Sequence, residues 1–278
     1  MVTDPYTIPS YIPPDTLYFT VLDLKDAFFT RPVHHTSQSL FAFTWMDPDT
    51  YQSQQLTWTV LPQGFRDSPH FFYQALQRDL QTLYLGSTTS LQYVDDLLLC
   101  SSSRHNCLVH TARVLNVLGT WGNRVLLSKA QIASATVNYM GWLLTSTSKI
   151  IPAQRLRALT QTPRPQTKRE LLSLLGLLNL FWIRVPNFAL LAKSLYQVIQ
   201  GNLDESLLAP TSLHTPIQTL IKHLLQAPSL YLNDYAKLFF LFVRSWQGHA
   251  LGILCQKKGD IWAPLAYLSK QLDLVTLG

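Results

Sequence analysis

The sequence predicts an α+β fold with three parts, and three observations lead to it. Short stretches that alternate in polarity, such as "LYFTVLD", are typical of strands and occur with helices up to about residue 150. From Pro152 the apolar residues recur at helical spacing to about residue 205. After Asp234 the strand pattern returns. We therefore expect an α+β unit, then a helical basic unit, then a small third unit.

The composition limits the classes of protein to which the chain can belong. The chain has 278 residues, 47% of them hydrophobic and 14% charged, which is enough to bury a core and suggests about two domains of ~100–200 residues each. No apolar stretch approaches the ~20 residues of a membrane span, and the N-terminus lacks the features of a secretory signal. Three cysteines without a CxxC pair argue against a disulfide framework and favour an intracellular location.

The first elements are strands and a helix. "LYFTVLD" places Phe19, Val21 and Asp23 on one face and ends in that acid. "SLFAFTW" and "QLTWTVL" predict two more strands. A helix should follow "LPQGF", with Ser68 as its N-cap and Pro69 at its first position.

The stretch "LQYVDDLLLC" predicts a hairpin in which "LQYV" and "LLLC" are the strands and Asp95 and Asp96 form the turn. A helix through "RHNCLVHTARVLNVLGTW" should follow, with Ser103 as its cap and Gly122 just past its end. "TVNYMGWLLT" and "KIIP" predict a further pair of strands.

The remaining elements are four helices and three strands. "PAQRLRALTQ" predicts a helix, and Thr167 three residues before Glu170 forms a capping box that opens the next one. Two more helices are expected in "FALLAKSLYQVIQ" and "SLHTPIQTLIKHLLQ". The last strands are expected in "KLFFLFVRS", "HALGILCQ" and "APLAYLS".

Three carboxylates are candidate metal ligands. Asp23 ends a strand, and Asp95 and Asp96 lie in a hairpin, so neighbouring strands would bring all three together. Clustered carboxylates repel one another unless a divalent cation offsets their charge, and Mg²⁺ prefers oxygen ligands together with substrate phosphates. Two such ions stabilise the attacking and leaving oxygens of a phosphoryl transfer. The alternative is structural: Asp95 and Asp96 only shape a turn, and Asp23 caps "LKDAFF".

A long basic stretch points to a polyanionic partner. No Asp or Glu occurs between Leu97 and Arg169, while ten Lys and Arg do. An ordinary solvated surface would also be charged, but a stretch of this length without acids is typical of nucleic-acid binding. Together with the carboxylates, it favours a nucleotidyl-transfer site.

The order of several motifs resembles the reverse transcriptases of gammaretrovirus-like and endogenous retroviral Pol proteins. "YVDD" follows "VLDLKDAFF" and "LTWTVLPQGF", and "SKAQ", "YMGWLL", "RELLSLLG" and "AYLSKQLD" come after it. The resemblance covers nearly the whole chain. It implies a right-hand polymerase with an antiparallel palm sheet and partial fingers in 1–150 (fingers about 31–67), a helical thumb in 151–205, and a small RNase H-like connection domain in 206–278.

The resemblance also implies a ligand for most of the motif residues. The metal acids are Asp23, Asp95 and Asp96, with the Leu24 carbonyl as a further ligand for two Mg²⁺ ions, or Mn²⁺. The nucleotide-binding residues are the Asp26 and Ala27 amides, the sugar gate Phe28, and Gln63; the primer–template residues are Tyr93, Met140, Gly141, Lys168 and Arg169. Phe28 and Tyr93 could equally be packing residues, and Lys129 could be solvated or approach the nucleotide.

The implied activity is that of an RNA-directed DNA polymerase, which acts on an RNA or DNA template with a primer and deoxynucleoside triphosphates. No membrane partner is expected. The expected location is the cytoplasm or a virion. Oligomeric state stays open. The first fingers strands and a separate nuclease domain would lie outside residues 1–278, so we expect a core truncated at both ends. Arg244 stands where a nuclease acid would be needed, so no second metal site is expected. The alternative is a catalytically silent remnant that only binds nucleic acid.

Overall fold

The computed structural model of the chain describes residues 7–207 and 213–273. The chain divides into two compact units, Met1–Met140 and Gly141–Gly278. Both combine helices with antiparallel sheets, which confirms the predicted α+β class. Among the described residues, no helix is both long and apolar enough to cross a bilayer.

The first unit is built on a five-stranded antiparallel sheet. Its central strands follow the order β4-β5-β1, while β6 and β7 pair with different parts of the free side of β1, and β2 and β3 form a separate two-stranded ribbon. In chain order the elements are β1 (Tyr18–Lys25), α1 (His35–Gln38), β2 (Ala42–Met46), β3 (Ser53–Thr57), α2 (Ser68–Gln81), β4 (Thr89–Tyr93), β5 (Asp96–Ser101), α3 (Arg104–Thr120), β6 (Arg124–Val125), β7 (Gln131–Ser134) and β8 (Val137–Tyr139).

The core of this unit encloses the middle of the sheet. Three successive residues of β5, at 97–99, are fully buried, and because successive side chains of a strand point to opposite faces, both faces of β5 are covered. Phe72 and Leu76 of α2 and Val114 and Leu118 of α3 belong to the same buried cluster. The helices therefore hold the strands that end at the hairpin.

Local signals explain where two of the helices begin and end. The Ser103 hydroxyl accepts the N–H of the residue three positions on, at 3.2 Å, and Gly122 adopts a left-handed φ of +72° just past the end of α3; both were predicted, and both are confirmed. The predicted cap Ser68 is wrong: Asp67 is at the N-cap position. The Ser68 hydroxyl donates instead to the Pro62 carbonyl at 2.8 Å.

The described part of the second unit contains four α-helices and two antiparallel sheets. Strands β11, β10 and β9 are neighbours in one sheet, and β12, β13 and β14 form the other. Its elements are β9 (Trp142–Leu144), β10 (Ser148–Ile150), α4 (Ala153–Gln161), α5 (Lys168–Asn179), α6 (Phe188–Val198), α7 (His214–Gln226), β11 (Leu230–Tyr231), β12 (Phe240–Trp246), β13 (His249–Lys258) and β14 (Ile261–Gln271). The four helices and the last three strands were all predicted, although Ser212, the first residue expected of α7, lies outside the described residues.

The predicted cap of α5 is present. The Thr167 hydroxyl accepts the Glu170 N–H at 3.2 Å, and the Glu170 carboxylate accepts the N–H of Gln166 at 2.7 Å. The reciprocal bond therefore reaches one residue before the cap, and not the cap itself as in the usual capping box.

Strand β12 is an edge strand with an apolar surface. In the described part of the second unit it pairs with β13 alone. Leu241, Val243 and Trp246 expose 55%, 64% and 56% of their surfaces. The edge of this sheet therefore presents both unpaired backbone groups and large apolar side chains.

Candidate active site

The hairpin that carries the adjacent carboxylates turns one residue earlier than the sequence predicts. Tyr93 of β4 pairs with Asp96 of β5, so the two turn residues are Val94 and Asp95, and Asp96 already belongs to a strand. Val94 adopts a left-handed φ of +50°. A β-branched residue is an outlier in this region, so neighbouring contacts must hold the turn.

The sheet brings Asp23 to this hairpin. Asp23 of β1 lies directly opposite Asp96 in the antiparallel register, and residues so paired have Cβ atoms about 4.5–5.5 Å apart on one face of the sheet. The Asp95 carbonyl accepts the Leu24 N–H at 3.1 Å, which ties the turn to β1. The three carboxylates therefore lie at one end of the β1–β5 ladder, although about 70 residues separate them in sequence.

Burial and neighbouring negative charge raise the pKa values of Asp95 and Asp96. Burial raises the pKa of Asp96 to about 6, and the charges of Asp95 and Asp23 add to the rise. Burial also raises the pKa of Asp95, with a further contribution from Asp23. This end of the ladder therefore carries negative charge that its surroundings leave incompletely neutralised.

Lys129 supplies a cation beside the group. Its Nζ lies 2.9 Å from Oδ2 of Asp23, and this hydrogen bond and the Asp23 charge raise the pKa of Lys129. Lys129 therefore contacts Asp23 while 62% of its side chain is exposed to solvent, and an approach to the nucleotide stays a prediction.

The donor set suits a hard divalent cation, because it consists of carboxylate oxygens that repel one another. Among residues 7–207 and 213–273, however, no three His, Cys, Asp or Glu side chains are already arranged closely enough to hold a metal ion. The backbone brings the carboxylates to one edge, and their side chains still have to converge on an ion.

The chain leaves β1 through a turn that carries three of the sequence-predicted nucleotide residues. Asp26 is exposed and has a left-handed φ of +52°, and Ala27 begins the short 3₁₀ turn that follows. Phe28 is half-buried and contacts Phe72 edge-on, with ring centroids 5.8 Å apart. Gln63 is exposed in a separate turn.

The remaining sequence-predicted residues fall in both units. Tyr93 is half-buried and packs against the core of the first unit. Met140 and Gly141 both adopt a left-handed φ, of +49° and +83°. A Cβ at Gly141 would lie 2.5 Å from a guanidinium nitrogen of Arg155. Only glycine therefore fits at 141 with Arg155 in this position.

The two cations at the start of α5, Lys168 and Arg169, are already paired with acids. Lys168 Nζ lies 2.5 Å from Oε2 of Glu205 and also donates to the Gln200 carbonyl at 2.8 Å. Arg169 forms an exposed ion pair with Asp204 at 2.8 Å. Any polyanion that binds here has to compete with these carboxylates.

Gln92 contacts the hairpin turn, which the sequence pattern did not indicate. Its Nε2 donates to the Val94 carbonyl at 3.0 Å and to the Tyr73 carbonyl of α2 at 3.3 Å. One feature of the sequence could have indicated this contact. Gln92 precedes the turn by two residues, and a long amide side chain at that position can reach the turn backbone.

Comparison with known protein families identifies the family to which part of this chain belongs. Residues 10–144 match the family described as reverse transcriptase (RNA-dependent DNA polymerase). These residues belong to the reverse transcriptase family. The match includes the hairpin, Asp23 and the helices that hold them, and enzymes of this family generally use divalent metal ions.

Viral polyproteins and a solved structure extend the similarity beyond the reverse transcriptase domain. The whole chain is 42% identical to the Gag-Pol polyprotein of Avian reticuloendotheliosis virus and 41% identical to the Pol polyprotein of Feline endogenous virus ECE1, and it spans 24% and 26% of their lengths. A foamy viral protease-reverse transcriptase in complex with an RNA/DNA hybrid is 26% identical, with a TM-score of 0.84 over 99% of this chain and 36% of that one. The fold is therefore that of retroviral reverse transcriptases along nearly the whole chain.

Proposed function

We propose that this chain is the core of an RNA-directed DNA polymerase, which extends a primer on an RNA or DNA template by nucleotidyl transfer from deoxynucleoside triphosphates. The observation that carries the proposal is the cross-strand pair of Asp23 and Asp96 with Asp95 in the adjoining turn. Membership of residues 10–144 in the reverse transcriptase family supports it. So does the similarity to a protein whose structure contains an RNA/DNA hybrid.

Asp23, Asp95 and Asp96 are the proposed ligands of two Mg²⁺ or Mn²⁺ ions, with the Leu24 carbonyl as a further ligand. Bound divalent ions would supply the positive charge that phosphoryl transfer needs at its attacking and leaving oxygens. The chain's own part is to hold the three carboxylates at one end of the ladder, where burial and neighbouring negative charge raise the pKa values of Asp95 and Asp96 and a cation would offset that charge. Lys129 neutralises part of the charge on Asp23.

The turn after β1 is the proposed nucleotide site. The backbone amides of Asp26 and Ala27 would meet the triphosphate, because the left-handed Asp26 redirects the chain directly beyond the carboxylates. Phe28 would restrict the sugar, since its ring is held edge-on by Phe72 yet remains half-exposed. Gln63 is the proposed contact near the base.

Primer and template would contact Tyr93 beside the carboxylates, the left-handed pair Met140 and Gly141, and the cations Lys168 and Arg169. This assignment divides the chain into a palm with partial fingers (1–150), a thumb (151–205) and a connection domain (206–278). The all-helical content from α4 to α6 supports a thumb in this place.

We also propose a reducing location, in the cytoplasm or a virion. Cys100, Cys107 and Cys255 are all buried free thiols, as expected of a protein that relies on no disulfide.

Primer extension by the purified full chain tests the function, first with Mg²⁺ and then with Mn²⁺. We expect extension that Asp95→Asn abolishes, because the lost charge is one of the three that gather the ions. Asp49→Asn is the matched control, since it removes the same charge from an exposed turn and should leave extension intact. Duplex binding without extension at any metal concentration would favour the silent, binding-only alternative.

A further inference from the structure

The hairpin that carries Asp95 and Asp96 depends on an unfavourable backbone conformation. Val94 is β-branched and has a φ of +50°, a combination that persists only where surrounding contacts hold it. Its side chain is buried in the core of the first unit, so Val94 packs well but does not favour the turn by itself. Some other group has to hold this backbone.

The Gln92 side chain is such a group. Its amide nitrogen donates to the Val94 carbonyl at 3.0 Å and to the Tyr73 carbonyl at 3.3 Å. Tyr73 lies in α2, whose Phe72 and Leu76 are fully buried. One amide group therefore ties the tip of the hairpin to a helix anchored in the core.

The position of the carboxylates follows from the position of this turn. Asp95 is the second turn residue, and its carbonyl accepts the Leu24 N–H. Asp96 comes next and lies opposite Asp23. A change at Val94 would rotate the peptide before Asp95 and would alter where both carboxylates point.

We propose that Gln92 is a positioning residue: it holds the Val94 carbonyl so that Asp95 and Asp96 face Asp23 in a geometry ready to bind divalent ions. Gln92 itself touches neither ion nor substrate. The inference rests on the proposed function, because it assigns Gln92 a part in the same metal site. Groups that orient metal ligands in this way typically change metal affinity about 10–100-fold when they are removed.

Two substitutions separate this role from simple packing. Gln92→Leu keeps a side chain of similar size and removes the amide that bonds to Val94. Gln77→Leu is the matched control, because Gln77 lines the same cavity of about 320 Å³ between α2 and β4 but is not a donor to the turn. Mn²⁺ affinity of the purified full chain, measured by water-proton relaxation, is the first readout, and extension rate is the second.

We expect Gln92→Leu to weaken Mn²⁺ binding about tenfold and to slow extension at fixed Mn²⁺, while Gln77→Leu changes neither. The melting temperature serves as a control, since a merely structural role would lower it without changing the metal affinity of the folded protein. Equal Mn²⁺ affinity in the wild type and Gln92→Leu would overturn the inference.

Val94→Gly provides a rescue test. Glycine adopts a positive φ without a steric penalty, so the turn no longer needs Gln92 to hold it. In the Val94→Gly background, Gln92→Leu should therefore weaken Mn²⁺ binding by no more than about twofold, which makes the two changes strongly non-additive. Additive losses would show that Gln92 acts by another route.

The outcomes for the inference and for the proposed function are distinguishable. A wild-type chain that binds Mn²⁺ but does not extend a primer contradicts the polymerase function alone, and the Gln92 variants still decide the positioning role. Extension that is unaffected by Gln92→Leu contradicts the positioning role alone. A wild-type chain that neither binds Mn²⁺ nor extends a primer overturns both.

Discussion

Lys149 is a cation inside the second unit. It exposes only 7% of its surface, and its Nζ lies 5.6 Å from the centroid of the Trp142 ring. Burial lowers its pKa to about 8, because the ammonium loses hydration. A favourable contact with the ring offsets only part of this cost.

This pKa predicts how stability depends on pH. Below about pH 8, the Lys149 side chain is protonated in both the folded and the unfolded chain. Between about pH 8 and 10.5 the unfolded chain binds more protons than the folded chain, so the free energy of unfolding rises with pH. Lys149→Met should remove this rise and increase the free energy of unfolding at pH 7 by about 1–3 kcal/mol. Denaturant unfolding curves measured from pH 7 to 10 test this prediction. Lys257→Met, at an exposed lysine over Trp262, should retain the wild-type dependence.

Phe28 allows a second prediction at the residue scale. Phe28→Val should admit ribonucleotides, because the smaller side chain no longer meets the 2′-hydroxyl, and should cost about 1–3 kcal/mol through the lost contact with Phe72. Phe29→Val is the control, since Phe29 stacks on Trp58 and should lose stability without a change in sugar preference. Incorporation ratios of ribo- to deoxyribonucleotides, with melting temperatures, give the answer. An unchanged ratio for Phe28→Val would leave Phe28 as a packing residue.

Helix caps are the element-scale features with the most direct consequences. Ser103→Ala should lower the free energy of unfolding by about 1 kcal/mol, because one N–H at the start of α3 loses its acceptor. Thr167→Ala should cost α5 a similar amount. Chemical denaturation measures both. Ser102→Ala removes a hydroxyl outside the cap position. If this variant lowered the free energy of unfolding as much as Ser103→Ala, the result would contradict the capping explanation.

The caps also show which elements can be predicted from sequence. Ser103 and Thr167 were identifiable because a cap followed by a run at helical spacing is a local pattern. Strands β6 and β7, of two and four residues, were not predicted because runs so short carry almost no periodicity. The hairpin was predicted with its turn one residue late, because Asp is an ordinary turn residue whereas a left-handed Val94 is contrary to local preference.

At the scale of the whole molecule, the basic stretch predicts salt-dependent binding to nucleic acid. Duplex affinity should fall with rising salt, and reversing Lys168 and Arg169 to Glu should weaken binding to all sequences alike, because phosphate contacts carry no base identity. Titrations of unrelated duplexes at several salt concentrations measure it. Binding independent of salt would contradict the assignment.

The partners of these two cations allow a matched test. Asp204→Asn with Glu205→Gln frees Arg169 and Lys168 from their ion pairs, so this double variant should bind duplex more tightly and with a steeper salt dependence. Unchanged affinity would indicate that the two cations do not face the nucleic acid.

Long-range pairing limits what sequence could reveal about the site. A shared metal ion could be predicted from the residue types of Asp23, Asp95 and Asp96. Their placement could not, because only the register of β1 on β5 puts Asp23 opposite Asp96 and not beside another residue. In the same way, the stretch from 97 to 169 contains no acid, yet Lys168 and Arg169 are neutralised by acids about 35 residues further along.

Strand β12 affects how this protein behaves when concentrated. Its outer edge can accept the same edge of a second molecule through backbone hydrogen bonds, and exposed Leu241, Val243 and Trp246 would stabilise the added strand. Arg244, also exposed, lies between Phe242 and Trp246 on one face of the strand and places there a charge that two stacked copies would bring together. We therefore expect Arg244 to oppose fibre-like assembly, and Arg244→Val should make the purified chain precipitate at lower concentration.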